Sequence, residues 1–319
     1  MVLGSNLSGN VSEIPVWFGI NYNRQLRLII LAVLFIVSLG GNVGFFVWMW
    51  FNRRTRNRIN TFMVHLCCAD LLVAFFALLS QFIVELLELT WLMGDVGCRL
   101  FKILQCFTLF ASSNMVVAIA IDRYHSVLYP FKQRLGVYVI IIPAWLIAFF
   151  LSIPQAFLWK VIPDKQGTVG CHTSLEKNWQ KQTYLTWVAL VMFFIPFILI
   201  TSFYLRITFR LWQRRNTVLP GKNQRRRNAK MKTLKMTFVI ITFFVVCGLP
   251  YFALDMYRFT GRGNVDRNAY AVLGIFSVSH CAVNPFIFLA FNARSNSSPA
   301  SIRYHDNSVL VSTPSRGLI

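Results

Sequence analysis

An aspartate stands in the middle of a long apolar segment of this chain. Asp70 follows Leu66 and Ala69, and two amides, Asn42 and Asn284, lie at comparable depth in two other apolar segments. A carboxylate with amide partners can hold waters or a small cation such as sodium. It can equally form a hydrogen-bond network that only stabilises the structure. The sequence predicts an ion or water network here and leaves these two roles open.

A second charged group ends the third apolar segment, where Asp122 and Arg123 are followed by Tyr124. An arginine held by a neighbouring carboxylate in one state and released in another makes a switch, provided that the surrounding helices have two packings. Capping of a helix end at the membrane interface would use the same residues.

The sequence gives little support for a catalytic site or a metal site. His280 lies near Ser277 and Ser279, but no nucleophile-elbow motif surrounds them, so we predict a packed histidine rather than an intramembrane hydrolase. His65 precedes two cysteines, yet one helix would not bring these three side chains to zinc geometry without further ligands. The sequence predicts neither an enzyme nor a metal centre.

The segments that carry these residues are long enough to cross a membrane. A bilayer core needs about 20 apolar residues in a helix, because no water is available there for backbone amides. The chain is 56% hydrophobic and 13% charged, which excludes a soluble domain but is ordinary for a membrane bundle. We predict an all-α membrane protein, a seven-transmembrane helix bundle. The predicted spans are 28–51, 62–87, 98–121, 136–158, 184–209, 234–257 and 269–291.

The basic residues are segregated by loop. Clusters follow the first and third spans, and eleven Lys or Arg lie from Arg206 to Lys235 with no acid among them. By the positive-inside rule these loops face the cytoplasm and the N-terminus lies outside, although Arg24 and Arg27 before the first span argue the other way. The net charge of +21 is thereby explained without nucleic acid as a partner.

Two cysteines map to the oxidising outer side, Cys98 and Cys171, and the other five lie inside spans. We predict a disulfide that ties the loop after the fourth span to the top of the third. Asn6 and Asn10 begin two sequons on the same side and are candidate glycosylation sites.

Several short motifs lie one after another along the seven spans. They are carried by Gly41, Asn42, Leu66 through Asp70, Cys98, Asp122, Arg123, Tyr124, Trp145, Pro196, Tyr204, Cys247, Pro250, Asn284 and Pro285. With these residues the chain resembles the rhodopsin-like (class A) G-protein-coupled receptors over nearly its full length. The resemblance implies a ligand pocket open to the outside, an outward swing of the sixth helix, and a heterotrimeric G protein docking among the basic loops.

Residues 98–105, 110–112, 154–155 and 229–240 carry a finer resemblance to the vasopressin and oxytocin receptors, which neighbour the gonadotropin-releasing-hormone and neuropeptide S receptors. That group lines its pocket with glutamines and a lysine, which implies a peptide ligand. The corresponding residues here are Gln81, Lys102, Gln105 and Gln155, with Glu85 at the rim. Tyr251 completes the predicted ligand-binding set.

The residue types agree with that set. Gln81 and Glu85 are four apart, and Lys102 and Gln105 are three apart, so each pair shares a helix face. Amide side chains donate and accept hydrogen bonds, which suits a ligand that presents peptide groups. Alternatively, Lys102 snorkels to the interface and Glu85 sits in water at the rim.

Two motif positions depart from the family. Gly248 replaces the tryptophan of Cys-Trp-x-Pro, which leaves a void unless Phe244, Tyr251 or Phe252 fills it. Phe288 replaces the tyrosine of Asn-Pro-x-x-Tyr, so the hydroxyl that can meet the fifth helix through water is missing. Both departures predict altered basal activity or efficacy.

The sequence predicts a plasma-membrane receptor for an extracellular neuropeptide, vasopressin- or oxytocin-like, that signals through a G protein. The alternatives are a receptor for a gonadotropin-releasing-hormone-like peptide and a peptide-binding decoy or heteromeric partner. A transporter or channel would show inverted repeats or a filter-like segment, and neither is visible. We expect an extracellular segment at 1–27, the receptor domain at 28–291, and a cytoplasmic tail at 292–319 whose serines suit receptor kinases and arrestin.

Overall fold

The computed structural model describes residues 24–52, 58–87, 91–129, 135–163, 169–215, 224–259 and 267–296. Within these ranges seven helices are long and apolar enough to cross a membrane, which confirms the predicted bundle. They are α1 (Arg24–Phe51), α2 (Arg58–Leu86), α3 (Gly94–Leu128), α4 (Val137–Ser152, with a short helix at Gln155–Leu158), α5 (Asn178–Ala189, Leu190–Phe194 and Ile195–Arg215), α6 (Gln224–Phe259) and α7 (Arg267–Val278 and His280–Asn296).

Six of the seven helices are longer than their predicted spans, and α4 is the exception. α6 begins at Gln224, ten residues before its predicted span, and α3 begins at Gly94 rather than at 98. Hydropathy detects only the part of a helix that lies in lipid, whereas backbone hydrogen bonding continues into the aqueous boundary. Helix ends therefore exceed the apolar runs that reveal the spans.

Several polar side chains of the spans are buried and many apolar side chains are exposed on the outside of the bundle, as expected for a membrane protein. Ser38, Asn42 and Asp70 are completely buried, whereas Ile36 and Phe51 are 66% and 81% exposed on the outside of the bundle. Apolar groups are at no disadvantage next to lipid, but polar groups there lack hydrogen-bond partners. These three polar residues therefore lie between helices, where other polar groups can bond to them.

α3 lies at the centre of the bundle and packs against α2, α4 and α5, while α1 packs against α7. The close approach of α1 to α7 depends on Gly41. A Cβ at this position would lie 2.6 Å from the ring of Phe286 and 3.0 Å from Pro285, so a larger residue would force the Phe286 ring or the two helices to shift.

A β-hairpin that the sequence did not predict covers one end of the bundle. β1 (Trp159–Pro163) pairs antiparallel with β2 (Val169–Thr173). The predicted disulfide between Cys98 and Cys171 is confirmed and joins β2 to the start of α3. A side-chain oxygen of Asp95 also accepts a hydrogen bond from the backbone N–H of Val161, at 3.0 Å. The hairpin is thus fixed over the extracellular end of α3.

Two helices contain a π-helical turn. Ala74–Leu79 follows Asp70 by one turn in α2, and Leu190–Phe194 lies in the middle of α5. Such a turn contains one residue more than an α-helical turn, so it rotates the faces on its two sides relative to each other. Both turns therefore change which side chains reach the interior.

Candidate functional site

A narrow cavity of about 50 Å³ lies between α1, α2, α3, α6 and α7, at the extracellular end. Its lining includes Gln81, Gln105 and Tyr251 of the predicted set, together with Arg27 and Tyr270, which the sequence analysis missed. One buried water needs about 10–15 Å³, so the cavity has room for a few waters. A peptide would have to widen it or bind partly above it.

Lys102 points into the bundle rather than to the membrane interface. Its side chain is buried, and Nζ donates a hydrogen bond to Oε1 of Gln105 at 3.1 Å. Nζ also lies 4.4 Å from the centre of the Trp159 ring, a cation–π contact with the hairpin. The predicted pair on one helix face is therefore joined inside the protein.

Gln155 lies with Lys102 and Gln105 in a buried polar layer beneath the hairpin. Its Oε1 accepts hydrogen bonds from Nε1 of Trp159 at 2.9 Å and from the hydroxyl of Tyr184 at 2.7 Å. Its Nε2 is buried and has no hydrogen-bond partner among the described residues. Because Trp159 contacts both Gln155 and Lys102, the structure brings three of the predicted ligand-binding residues together beneath the hairpin.

Glu85 is buried, not exposed to water at the rim. It forms an ion pair with Arg27 of α1, and its Oε1 accepts a hydrogen bond from Gln81 at 3.3 Å. Arg24 donates to the backbone carbonyls of Glu85 and Leu86, at 3.1 and 2.9 Å, at the end of α2. These two arginines, which run against the positive-inside rule, thus have specific partners on α2.

A further acid, missed at the sequence level, lies on α6. Asp255 is 4% exposed, and its Oδ1 accepts a hydrogen bond from the hydroxyl of Tyr270 at 2.7 Å. The hydroxyls of Tyr270 and Tyr251 lie 3.1 Å apart. An ionisable residue within an apolar span is the signal that could have found it. Tyr251 therefore faces the interior as part of a polar group between α6 and α7.

The structure brings Asp70 together with Asn284, one of the two amides grouped with it in the sequence. Its carboxylate accepts hydrogen bonds from Ser112 at 2.6 Å and from Asn284 at 2.8 Å. Asn42 lies in the same layer but donates to the backbone carbonyl of Cys281, at 3.3 Å. The side-chain oxygens of Asn42 and Asn284 are buried without a partner among the described residues. Ser112 is the network member that the sequence did not indicate.

At the cytoplasmic end, Asp122 forms ion pairs with two arginines, Arg123 next to it and Arg58 of α2. The hydroxyl of Tyr204 on α5 bonds to Oγ1 of Thr237 on α6, at 2.5 Å. The arginine of the predicted switch is thus held, and α6 is fastened to α5 at the same end.

These sites lie in a chain whose residues 41–288 match the family model described as 7 transmembrane receptor (rhodopsin family). The chain belongs to this receptor family. It is therefore a multi-pass receptor of the plasma membrane, as predicted.

The receptor is also similar to curated relatives. It is 27% identical to the mesotocin receptor of Rhinella marina, over 84% of this chain and 74% of the relative. It is 27% identical to cephalotocin receptor 1 of Octopus vulgaris, over 83% and 77%, and to the vasopressin V1b receptor of Mus musculus, over 84% and 73%. The finer resemblance to the vasopressin and oxytocin receptor group is thereby confirmed.

The space beside Gly248 in this receptor is filled from α5. A Cβ at position 248 would lie 2.6 Å from the ring of Phe193, which is stacked on Phe252 at 4.9 Å. The sequence predicts Phe244, Tyr251 or Phe252 as the residue that fills this space. Phe193 cannot be predicted, because it comes from another helix and is placed by the π-helical turn of α5.

Phe288 is also enclosed by aromatic rings. It packs edge-on against Phe45 and Trp48 of α1, with ring centres 5.0 and 5.4 Å away. Pro285 lies inside α7, one turn before it. The phenyl ring thus completes an apolar contact between α1 and α7.

The structure describes the environment of Tyr124 but not that of the predicted glycosylation sites. The hydroxyl of Tyr124 accepts a hydrogen bond from Arg206 of α5, at 3.4 Å. Asn6 and Asn10, the candidate glycosylation sites, lie outside the described residues, as does the tail beyond residue 296.

Proposed function

We propose that the receptor binds an extracellular peptide of the vasopressin and oxytocin type and signals through a heterotrimeric G protein. The observation that carries the proposal is the buried polar layer of Lys102, Gln105 and Gln155 beneath the hairpin. A primary ammonium and two amides supply donors and acceptors for the backbone of a peptide. The names of the relatives support the peptide class, since they are receptors for mesotocin, cephalotocin and vasopressin.

Signalling requires that the peptide favour a second packing of the helices. In the described arrangement, Asp122 holds Arg123 and Tyr204 holds Thr237, so α6 stays close to α5. The extracellular cavity, at about 50 Å³, has room for a few waters but not for a peptide. A ligand that binds only the widened cavity shifts the population toward that state, and the cytoplasmic contacts then open.

We expect Lys102→Ala and Gln105→Ala each to lower agonist potency about tenfold, because each removes about one charged or amide contact. Calcium and cyclic AMP responses of transfected cells to a panel of amidated neuropeptides would measure the change. Lys160→Ala is the matched control, since Lys160 is exposed on β1 and carries the same charge at the same end.

Unaltered potency in both variants would place the binding site elsewhere. Silence of the unmodified receptor across the panel in both responses, despite surface expression, would contradict the signalling part of the proposal.

We also propose the division of the chain into an extracellular segment at 1–27, the receptor domain at 28–291 and a cytoplasmic tail at 292–319. The tail contains several serines that receptor kinases could phosphorylate for arrestin, and we propose Asn6 and Asn10 as glycosylation sites of the extracellular segment.

The layer around Asp70 is proposed to bind sodium. Its oxygen ligands would be the Asp70 carboxylate, the Ser112 hydroxyl and the unpartnered side-chain oxygen of Asn284, which suit a hard cation. We expect the purified receptor to unfold at a higher temperature in sodium chloride than in choline chloride at the same ionic strength. Asp70→Asn should abolish that difference. Equal melting temperatures of the unmodified receptor in the two salts would show that the Asp70 layer is a structural hydrogen-bond network without a bound ion.

A further inference from the structure

An open groove of about 620 Å³ runs between the cytoplasmic ends of α3 and α5. One wall carries Leu205 and Phe209 of α5, which are 66% and 59% exposed. Tyr129, the residue after α3, contributes an aromatic ring to the other wall. The groove is therefore an apolar surface at the border of the bilayer.

Two arginines stand beside this apolar wall. Arg206 and Arg210 are four apart, so they share one face of α5, and both are exposed. Arg206 donates to the hydroxyl of Tyr124 at 3.4 Å, and Arg210 donates to the amide oxygen of Gln213 at 3.3 Å. Both acceptors are neutral, and neither arginine forms an ion pair with a described residue. Most of the five donors of each guanidinium remain available to an anion.

The apolar wall and the two arginines together limit which kind of molecule can bind in the groove. Leu205 and Phe209 favour contact with acyl chains, and the two arginines favour contact with an anion, so a lipid with an anionic headgroup satisfies both parts of the groove. The basic loops place this end of α5 at the cytoplasmic leaflet, which is the anionic leaflet of the plasma membrane. Guanidinium groups bind phosphate oxygens through paired hydrogen bonds.

We propose that this groove binds an anionic phospholipid of the cytoplasmic leaflet. The phosphate oxygens lie against Arg206 and Arg210, and the acyl chains lie along Leu205 and Phe209. The groove is separate from the peptide site and from the Asp70 layer. The proposal therefore does not depend on the identity of the peptide or on signalling.

The test uses the purified full-length receptor without ligand or G protein, because a G protein would dock at the same end of the bundle. Native mass spectrometry would count bound phosphatidylinositol 4,5-bisphosphate during a titration, with phosphatidylcholine as the uncharged comparison. We expect saturable binding of the anionic lipid. The double variant Arg206→Gln/Arg210→Gln should lose at least about fivefold in affinity.

The control is Lys232→Gln/Lys235→Gln, which removes the same charge from the cytoplasmic end of α6. It should change the affinity less than twofold. An equal loss in both double variants would show diffuse attraction by the basic surface and overturn the proposal, as would no loss in the arginine variant. Displacement of the lipid by equimolar inositol trisphosphate would overturn the assignment to a lipid, because that molecule lacks the acyl chains.

Discussion

Replacing Gly248 with tryptophan is expected to destabilise this receptor, although the change restores the residue of the family motif. Even a Cβ at this position would lie 2.6 Å from the ring of Phe193, which is buried and stacked on Phe252. A few extra methylenes in a packed core cost about 1–3 kcal/mol, and an indole is much larger. We expect a loss of at least about 3 kcal/mol in unfolding free energy, measured as a lower melting temperature and reduced surface expression.

A double-mutant cycle provides the control. Phe193→Ala alone should destabilise the receptor by about 3–5 kcal/mol, because it opens a cavity. In Gly248→Trp/Phe193→Ala the indole can occupy that cavity, so the double variant should be more stable than the sum of the single effects implies. Strict additivity, or a Gly248→Trp receptor of unchanged stability, would contradict the packing described for Phe193.

This packing changes the interpretation of Gly248. An expected void beside Gly248 and the missing hydroxyl at Phe288 predict altered basal activity. The void is filled by Phe193, and Phe288 is enclosed by Phe45 and Trp48. The altered activity stays a prediction, and the glycine by itself is compatible with a tightly packed core.

Arg27→Gln is the second substitution for which we expect a large effect. It leaves the Glu85 carboxylate without its guanidinium partner, and the side chains of this pair are only 4% and 9% exposed. Removal of one partner from a buried ion pair costs about 3–5 kcal/mol, since the remaining charge is no longer compensated. Thermal unfolding of the purified receptor should therefore shift down by roughly 5–10 °C.

An exposed ion pair at the same end of the bundle serves as the comparison. Arg99 and Asp95 pair with side chains that are 43% and 45% exposed, so Arg99→Gln should cost about 1 kcal/mol or less. The exchange Arg27→Glu/Glu85→Arg keeps opposite charges and should recover part of the loss. If Arg27→Gln were no more harmful than Arg99→Gln, Arg27 would not compensate a buried charge.

Contacts within one helix could be predicted from the sequence. Gln81 bonds to Glu85 and Lys102 bonds to Gln105, as their spacings of four and three indicated. Helix geometry fixes which residues are neighbours at these separations, whatever the rest of the chain does. The Cys98–Cys171 disulfide was predictable for a different reason, because topology leaves only these two cysteines on the oxidising side.

The sequence by itself determined the seven spans, their orientation and the receptor family, because lipid imposes length and hydropathy on every crossing helix. Only the tertiary structure decided that Phe193 lies against Gly248, that Arg27 neutralises Glu85, and that Asp255 faces Tyr270. Each of these contacts joins two helices. Such a contact depends on how far each helix is rotated about its axis. Packing between helices sets that rotation, and a π-helical turn such as the one in α5 changes it locally.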